Sequence, residues 1–553
     1  MSNRRMATRD VSLIRSVGRP RPVVRHVTDD VERHRPRARR RRRPHAIARA
    51  MTMTMSMSMK TNDKSTGVMS IAIVGGGVAG LALASATRAL DDERARGGRA
   101  RMFRVTVFDT GERACGGRMS TKFDNVYGSF DHGVQYFTTS EETVEKFARR
   151  LERAGALETW SASKVGTLTR GGTFKAFDDD VERFVGVDGF RTMAEILSAD
   201  ADDVRRPQWV GSMRVRERSA DGAVAKWALA SSDNERAKQL GTYDFVVIAH
   251  NGKCAHRLAS TAKEDGAGKL ISSLSCAFGA RPSAELNEQR KLILGSVWSV
   301  MVVFEGAHDF GFEGAHVVEG DALSWVSNIT AKRGEANAKV TRVVLQSTAE
   351  YGRDNKVPQE AVPEDKAREV METLVAAFEK SMGCAPNAYL SKVVTFKAQL
   401  WGAANPLNVA NVPCVLDLKT RTAAVGDWCT SDAPCVQTAV LSAFSLARAL
   451  DDLCTSSGNL SEETRKLDAA RVRWSTPKGA ASAQGGFPGS KVPAMREALP
   501  MPARAGGSGR SGGNENGGRG RGAGRGRGAG RGGRMDNASK SKPTMARAVA
   551  FSI

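Results

Sequence analysis

The sequence predicts an α/β fold: a doubly wound parallel sheet with a mixed or antiparallel sheet inserted into it. Three observations predict it. A β-branched run at Ile71, Ile73 and Val74 leads into Gly75-Gly76-Gly77 and an apolar helical stretch. A second strand-like run, Arg104 to Phe108, ends at the carboxylate of Asp109. Far downstream, Arg421 to Val425 reads as a strand and runs into Gly426-Asp427-Trp428 and a further apolar helix. Two half-sites held apart by a long stretch of strand-like pattern describe a discontinuous domain with a second unit set into it.

Each element has a local reason. The run at 71–74 suits a buried parallel strand. Gly75, Gly77 and Gly80 follow in G-x-G-x-x-G spacing. The first glycine permits a tight turn, the second lets backbone approach a pyrophosphate, and the third lets the helix pack on the strand. The helix then directs its N-terminal N–H groups at phosphate, with Ala79, Leu83, Ala86 and Leu90 as its inward face. Asp109 stands 29 residues after Gly80, against a usual ~20; the charged stretch DDERARGGRA holds the excess. A carboxylate there accepts from ribose hydroxyls and favours a free 2′-hydroxyl, as in FAD or NAD. Gly116-Gly117-Arg118-Met119 is a second phosphate-side motif, its glycines exposing backbone donors and Arg118 supplying a guanidinium. Asp131, His132, Gly133 and Gln135 then share a turn between apolar residues.

Between the half-sites, Phe184 to Leu197 reads as strand, glycine turn and helix, and Trp209 to Ser231 as a β-hairpin. Phe245 to Ala249 reads as a buried strand, Ser296 to Glu305 and Arg342 to Thr348 as longer strands, and Ala367 to Met382 as an amphipathic helix.

Charge separates this core from its ends. The net charge is +23, yet residues 1–70 hold 18 basic against 5 acidic residues and 481–553 hold 13 against 3, leaving 71–480 neutral. The first 50 residues carry 16 Arg and read as an organellar import leader. The run Arg39–Arg43 reads equally as a nuclear signal, and the Met/Ser/Thr repeat at 51–59 as a misplaced gene start. The Gly/Arg tract at 517–534 cannot bury a core and suits weak RNA or polyanion binding. It has no aromatic residue for base stacking. The uncharged stretch 66–87 is long enough to mimic a membrane span, but its three consecutive glycines mark a strand, turn and helix, so no membrane contact is expected. Eight cysteines without a C-x-x-C pair argue against a disulfide framework, and no metal is expected at His250, Cys254 and His256.

Taken together, the motifs GGGVAGL, VFDTGERACGGRMST, FDHGVQYFT, FVGVDGFRTMAEIL, YDFVVIAHNGKCAHRL and AAVGDWCTSDAPCVQTAVLSAFSLARAL resemble the renalase-like FAD oxidoreductases, within the amine-oxidase-like flavoproteins and especially their plant and algal members. The resemblance covers about residues 70–455. It implies FAD as cofactor, with Gly75, Gly77, Ala79, Gly80, Asp109, Gly117, Arg118, Met119, His132, Gly133, Gly426 and Asp427 around it. Asp427 would bond the ribityl or pyrophosphate region, and the helix carrying Val436, Val440, Phe444 and Ala447 would point its N-terminus at the flavin. The sequence departs from the family at Ser442-Ala443, where relatives have Ser-Gly, and at Gln399-Leu400, where some carry basic residues. His132, Lys397 and Trp401 are the candidates for positions near the chemistry. His132 reads equally as an orienting turn residue and Trp401 equally as core.

The implied activity is hydride transfer from a small reduced substrate, a dihydronicotinamide isomer or an amine, to flavin N5, with oxygen as acceptor. A flavin monooxygenase and an RNA-associated flavin-binding protein without turnover are the alternatives. On this reading residues 1–69 are a disordered basic leader, directing the chain to the chloroplast, with mitochondrion or cytoplasm as alternatives. Residues 70–140, 241–275 and 416–475 form the FAD-binding domain, and 141–240 and 276–415 the substrate domain, with an FAD-domain hairpin near 205–235. Residues 480–553 are a disordered Gly/Arg-rich tail.

Overall fold

The computed structural model describes residues 67–478, apart from 280, 282, 319, 336–337 and 457–458; the expectations for the leader and the Gly/Arg tail lie outside the described residues. The uncharged stretch divides at its glycines into β1 (Met69–Val74) and α1 (Val78–Arg96). Among the described residues no helix is long and apolar enough to cross a membrane. α1 closes with Arg94 and Arg96, cations that complement the negative end of its dipole, before Gly97 and Gly98. Next comes β2 (Phe103–Phe108), parallel to β1 with Val105 opposite Ile71. β3 (Phe245–Ile248) flanks β1 on its other side, also parallel. β4 (Leu292–Glu305) and β5 (Val393–Pro406) belong to a second sheet. β6 (Thr422–Ala424) returns to lie parallel to β3, and α2 (Val436–Thr455) follows it.

With edge strands Val415–Asp417 and Asp203–Arg205, the first sheet runs 415–417, β6, β3, β1, β2, 203–205. Side chains alternate across it, as a period of two requires. Ile71, Ile73, Val105 and Val247 face a core built with α1 and α2. Ala72, Val74, Val246 and Ile248 face a second core, capped by Met213, Trp227 and Leu229 of a three-stranded sheet. Covering both faces is what lets a parallel sheet be apolar throughout.

The expected hairpin is present as Ser212–Arg218 and Val224–Ala230, but Gln239–Tyr243 joins it as a third strand. Only Leu240 and Tyr243 of that strand are buried, so its apolar period is too weak to read. The second sheet is mixed: Cys276–Phe278, β4, Val340–Ser347, Leu323–Asn328, Gly314–Val317, Val165–Leu168 and Phe174–Ala176, with β5 antiparallel to β4. Val370, Leu374 and Phe378 of the helix Glu364–Met382 fill the core on one face. That helix starts three residues before its sequence expectation, at Pro363-Glu364-Asp365, where acidic first-turn residues favour an N-terminus. It stops at Gly383, in the left-handed region at φ +70°.

Residues 141–240 divide differently from the sequence reading. Only 165–168 and 174–176 join the second sheet. Val144, Phe147 and Leu151 of the helix Glu142–Arg153, and Met193 and Leu197 of Arg191–Ser198, pack into the α1–α2 core instead.

Candidate functional site

A cavity of about 470 Å³ opens at the carboxyl ends of the parallel strands, the place where open α/β sheets take ligands. Its volume falls within the ~300–1,000 Å³ usual for small-molecule and cofactor sites. One wall is the glycine turn after β1, with Asp109 after β2, His250 and Asn251 after β3, and Gly426-Asp427-Trp428 after β6. Trp401, Ala403 and Asn405 of β5 form the wall contributed by the second sheet.

Gly75 and Gly80 take up the tight turn and the close helix–strand approach that their spacing predicts. Gly75 has φ +117°, and a Cβ there would stand 2.9 Å from Ala249 O; a Cβ on Gly80 would stand 2.1 Å from Gly75 O. Both are sealed by backbone. Gly77 is the opposite case, since its Cβ would meet nothing within 4 Å and would project into open space. Gly77 caps α1 without any side-chain hydrogen bond, which leaves the helix N-terminus available to an anion. Ala79, in the first turn, lines the same wall.

Asp109 differs in detail from its expectation. Its Oδ2 accepts from Gly76 N–H at 2.8 Å and its Oδ1 from Gly111 N–H at 2.7 Å. The carboxylate therefore also fastens the glycine turn to the end of β2, while still lining the cavity.

Arg118 and Asp427 both line the cavity and hold each other in a two-pronged pair: Nη1 to Oδ2 and Nη2 to Oδ1, both 2.7 Å. Arg118 Nη1 also donates to Ala404 O at 2.8 Å. This ties the early motif, the late motif and β5 together at the cavity floor. Burial opposes the guanidinium charge, but the Asp427 carboxylate outweighs it and raises the Arg118 pKa. A Cβ on Gly426 would lie 2.6 Å from Trp428 Nε1, so any side chain there would push the indole aside. Its N–H donates to Ser442 Oγ at 3.2 Å.

Gly117 and Met119 line the cavity, Gly117 in a left-handed turn at φ +54°. Gly133 sits behind the wall, its carbonyl accepting from Gln135 Nε2 at 3.0 Å and Gln346 Nε2 at 2.7 Å. Asp131 is buried, accepting from Thr121 Oγ1 at 2.7 Å and Phe190 N–H at 3.2 Å. The Asp131–Gln135 turn is thus internally cross-braced. His132 is 1% exposed and its Nδ1 has no hydrogen-bond partner among the described residues. Burial, reinforced by the Lys122 and Lys397 charges, pushes its imidazole down to about 3, so it is neutral at ordinary pH. Its ring lies 5.1 Å from that of Trp401, whose Nε1 donates to His132 O at 3.0 Å. Trp401 lines the cavity and His132 backs it. Lys397, four residues earlier on β5, is exposed and lies outside the cavity wall.

Of the lining residues with unpartnered buried donors, Asn405 stood in no sequence motif, whereas Asn251 lies in YDFVVIAHNGKCAHRL and Trp428 in the Gly426-Asp427-Trp428 turn. Asn405 and Asn251 each present an Nδ2, and Trp428 an Nε1, that is buried with no acceptor among the described residues. Such groups are costly unless a ligand or water satisfies them. His250 lines the wall but spends its Nδ1 on Val74 O at 3.0 Å. No group of three His, Cys, Asp or Glu among the described residues could hold a metal ion. Cys435 lines the cavity where α2 begins, and burial pushes its thiol up to about 11, so it stays protonated.

The family model described as an NAD(P)-binding Rossmann-like domain matches residues 73–151. Among solved structures, the chain aligns with a reduced UDP-galactopyranose mutase at a TM-score of 0.47 and 7% identity, over 73% of this chain and 98% of that one. It aligns with a protoporphyrinogen oxidase candidate from Exiguobacterium sp. 255-15 at a TM-score of 0.44 and 12% identity, over 69% of this chain and 98% of that one. With putrescine-bound putrescine oxidase the TM-score is 0.40 and the identity 12%, over 69% of this chain and 99% of that one. The match to an NAD(P)-binding Rossmann-like domain falls on the glycine turn, α1, β2, Asp109 and the Gly117–Met119 turn, the part of the cavity wall that residues 73–151 supply.

Proposed function

We propose that the cavity holds FAD and that the chain is an FAD-dependent oxidoreductase of renalase-like type. It takes a hydride from a small reduced substrate, a dihydronicotinamide isomer or an amine, with oxygen as final acceptor. One observation carries the reading: a glycine cradle and a strand-end carboxylate share a single cavity with the unsatisfied donors Asn405 Nδ2 and Trp428 Nε1. Those donors suit a ligand that combines a phosphate-bearing half with an acceptor-rich ring. When bound, FAD supplies the hydride-accepting ring and holds the electron pair.

The chain's own work is positioning. Gly77 and the α1 N-terminus seat the pyrophosphate, and Asp109 meets the ribose. Asn405 and Trp428 satisfy ring or ribityl acceptors. Arg118 and Asp427, neutralising each other, contribute rigidity and little net charge to the floor. Trp401, seated on neutral His132, gives the apolar wall that keeps water from the reacting face. No strong base is required of the protein, since a hydride carries its own electrons.

The reading is tested by anaerobic mixing of the flavin-loaded chain with dihydronicotinamide isomers and with amines. Bleaching of the flavin bands by one class, followed by peroxide release on admitting air, is the expected outcome. Bands that no reductant bleaches would overturn the proposed activity. We assign the Arg-rich leader to chloroplast import, and sequencing the N-terminus of the mature protein tests that assignment.

A further inference from the structure

Just outside the β5 wall, two lysines stand beside one aromatic ring, and neither is paired with an acid among the described residues. Lys356 Nζ lies 4.4 Å and Lys253 Nζ 5.5 Å from the centroid of Phe278. Among the described residues neither makes a salt bridge. Lys356 Nζ donates only to Gly402 O, at 3.3 Å. Partial burial first, then the Lys253 charge, lowers the Lys356 pKa, with Cys276 acting in the opposite sense. Both residues are exposed.

The cluster adjoins the cavity on three sides. Lys253 stands between Asn251 and Cys254, which both line it. Lys356 bonds Gly402, between the lining residues Trp401 and Ala403. Phe278 Cζ and Ala403 Cβ lie 3.5 and 3.6 Å from where a Gly252 Cβ would be, so the ring backs directly on the wall. Asn251 adds a buried Nδ2 donor with no acceptor. The charged groups facing this rim are Lys253, Lys356 and the lining carboxylate Glu360, which is exposed and bonds neither lysine. Asp109, also on the wall, has both oxygens engaged by backbone N–H groups.

Two ammonium groups beside one aromatic ring, neither in a salt bridge among the described residues, offer charge-assisted donors to an anion. We propose that Lys253 and Lys356, with Asn251, form an anion subsite at the cavity rim that seats a phosphate or carboxylate group of the substrate. The inference rests on the oxidoreductase reading and narrows it to anionic substrates; a cationic amine would meet two like charges at the rim.

The test compares the full-length protein with its Lys253→Gln/Lys356→Gln double variant, titrating each with inorganic phosphate and, separately, with acetate by calorimetry. Both positions are exposed, so the fold is retained, and the Arg-rich ends, identical in both proteins, cancel in the comparison. Affinity for at least one anion should fall tenfold or more in the double variant, and Lys253→Arg/Lys356→Arg should restore most of it. Phosphate alone responding would identify a phosphoryl site, and acetate alone a carboxylate site. Equal binding of both anions by wild type and double variant would overturn the subsite. Flavin content, read from the visible spectrum of the same samples, is a separate outcome. Lysine-dependent anion binding without flavin would keep the subsite and sink the cofactor reading, whereas flavin without lysine dependence would do the reverse.

Discussion

Single residues carry opposite consequences within one motif. Gly80 is sealed against Gly75 O, so Gly80→Ala forces backbone apart and should cost about 1–3 kcal/mol in denaturant unfolding. Gly77 opens on the cavity, so Gly77→Leu should bind no flavin and melt like the parent stripped of its flavin. A parental flavin content in Gly77→Leu would remove the cradle from the account. Asp427→Asn strands the Arg118 guanidinium, at a cost of roughly 3 kcal/mol, the lower end for a broken buried pair because Arg118 opens onto the cavity. The same change measured with Arg118→Met already present should cost much less; additive losses would deny the coupling. Buried His132 and His316 add a pH dependence, both imidazoles lowered to about 3 chiefly by burial. In the unfolded chain each titrates near ~6.5. Between about 6.5 and 3 the unfolded state therefore binds protons that the folded state does not, so stability falls as pH falls through that window. Each histidine should account for about 2 kcal/mol of loss between pH 6.5 and 5. His316→Asn should flatten the slope of unfolding free energy against pH, and an unchanged slope would contradict the burial argument.

At the scale of elements, legibility followed apolar period and glycine spacing. β1, α1, β2, β3, β6 and α2 could all be read because each is buried along a whole face or on both sides. β5 could not, although it carries Trp401 and Asn405, because most of its first half is exposed or half-exposed and includes Lys397. The Arg118–Asp427 pair was equally invisible: its partners are 309 residues apart, and each belongs to a motif that points toward a ligand. Asp109 was located correctly, but its backbone partners Gly76 and Gly111 emerge only from the turn geometry. β5 packs along β4 and holds the Lys356 contact at Gly402. A Trp401→Ala change should therefore leave the sheet folded while baring His132 to the cavity. Flavin fluorescence and the rate of flavin reduction should both change, with the melting point lowered by no more than a few degrees.

The whole molecule separates a neutral, folded core from two strongly basic ends. Residues 71–480 balance their charges, and the +23 net charge comes from the segments on either side. Removing residues 500–553 should leave flavin content and thermal unfolding unchanged while weakening RNA binding and reducing its salt dependence. An unaltered salt slope would place polyanion binding on the core instead. The central claim is that one cavity, walled by the glycine turn, the Gly426-Asp427 turn and β5, holds FAD. It is tested most directly by the visible absorption spectrum and flavin-to-protein ratio of the purified full-length chain. Flavin bands at close to one equivalent, lost in Gly77→Leu with the fold intact, are the predicted result. A folded protein that carries no flavin and takes up none when FAD is added would contradict it.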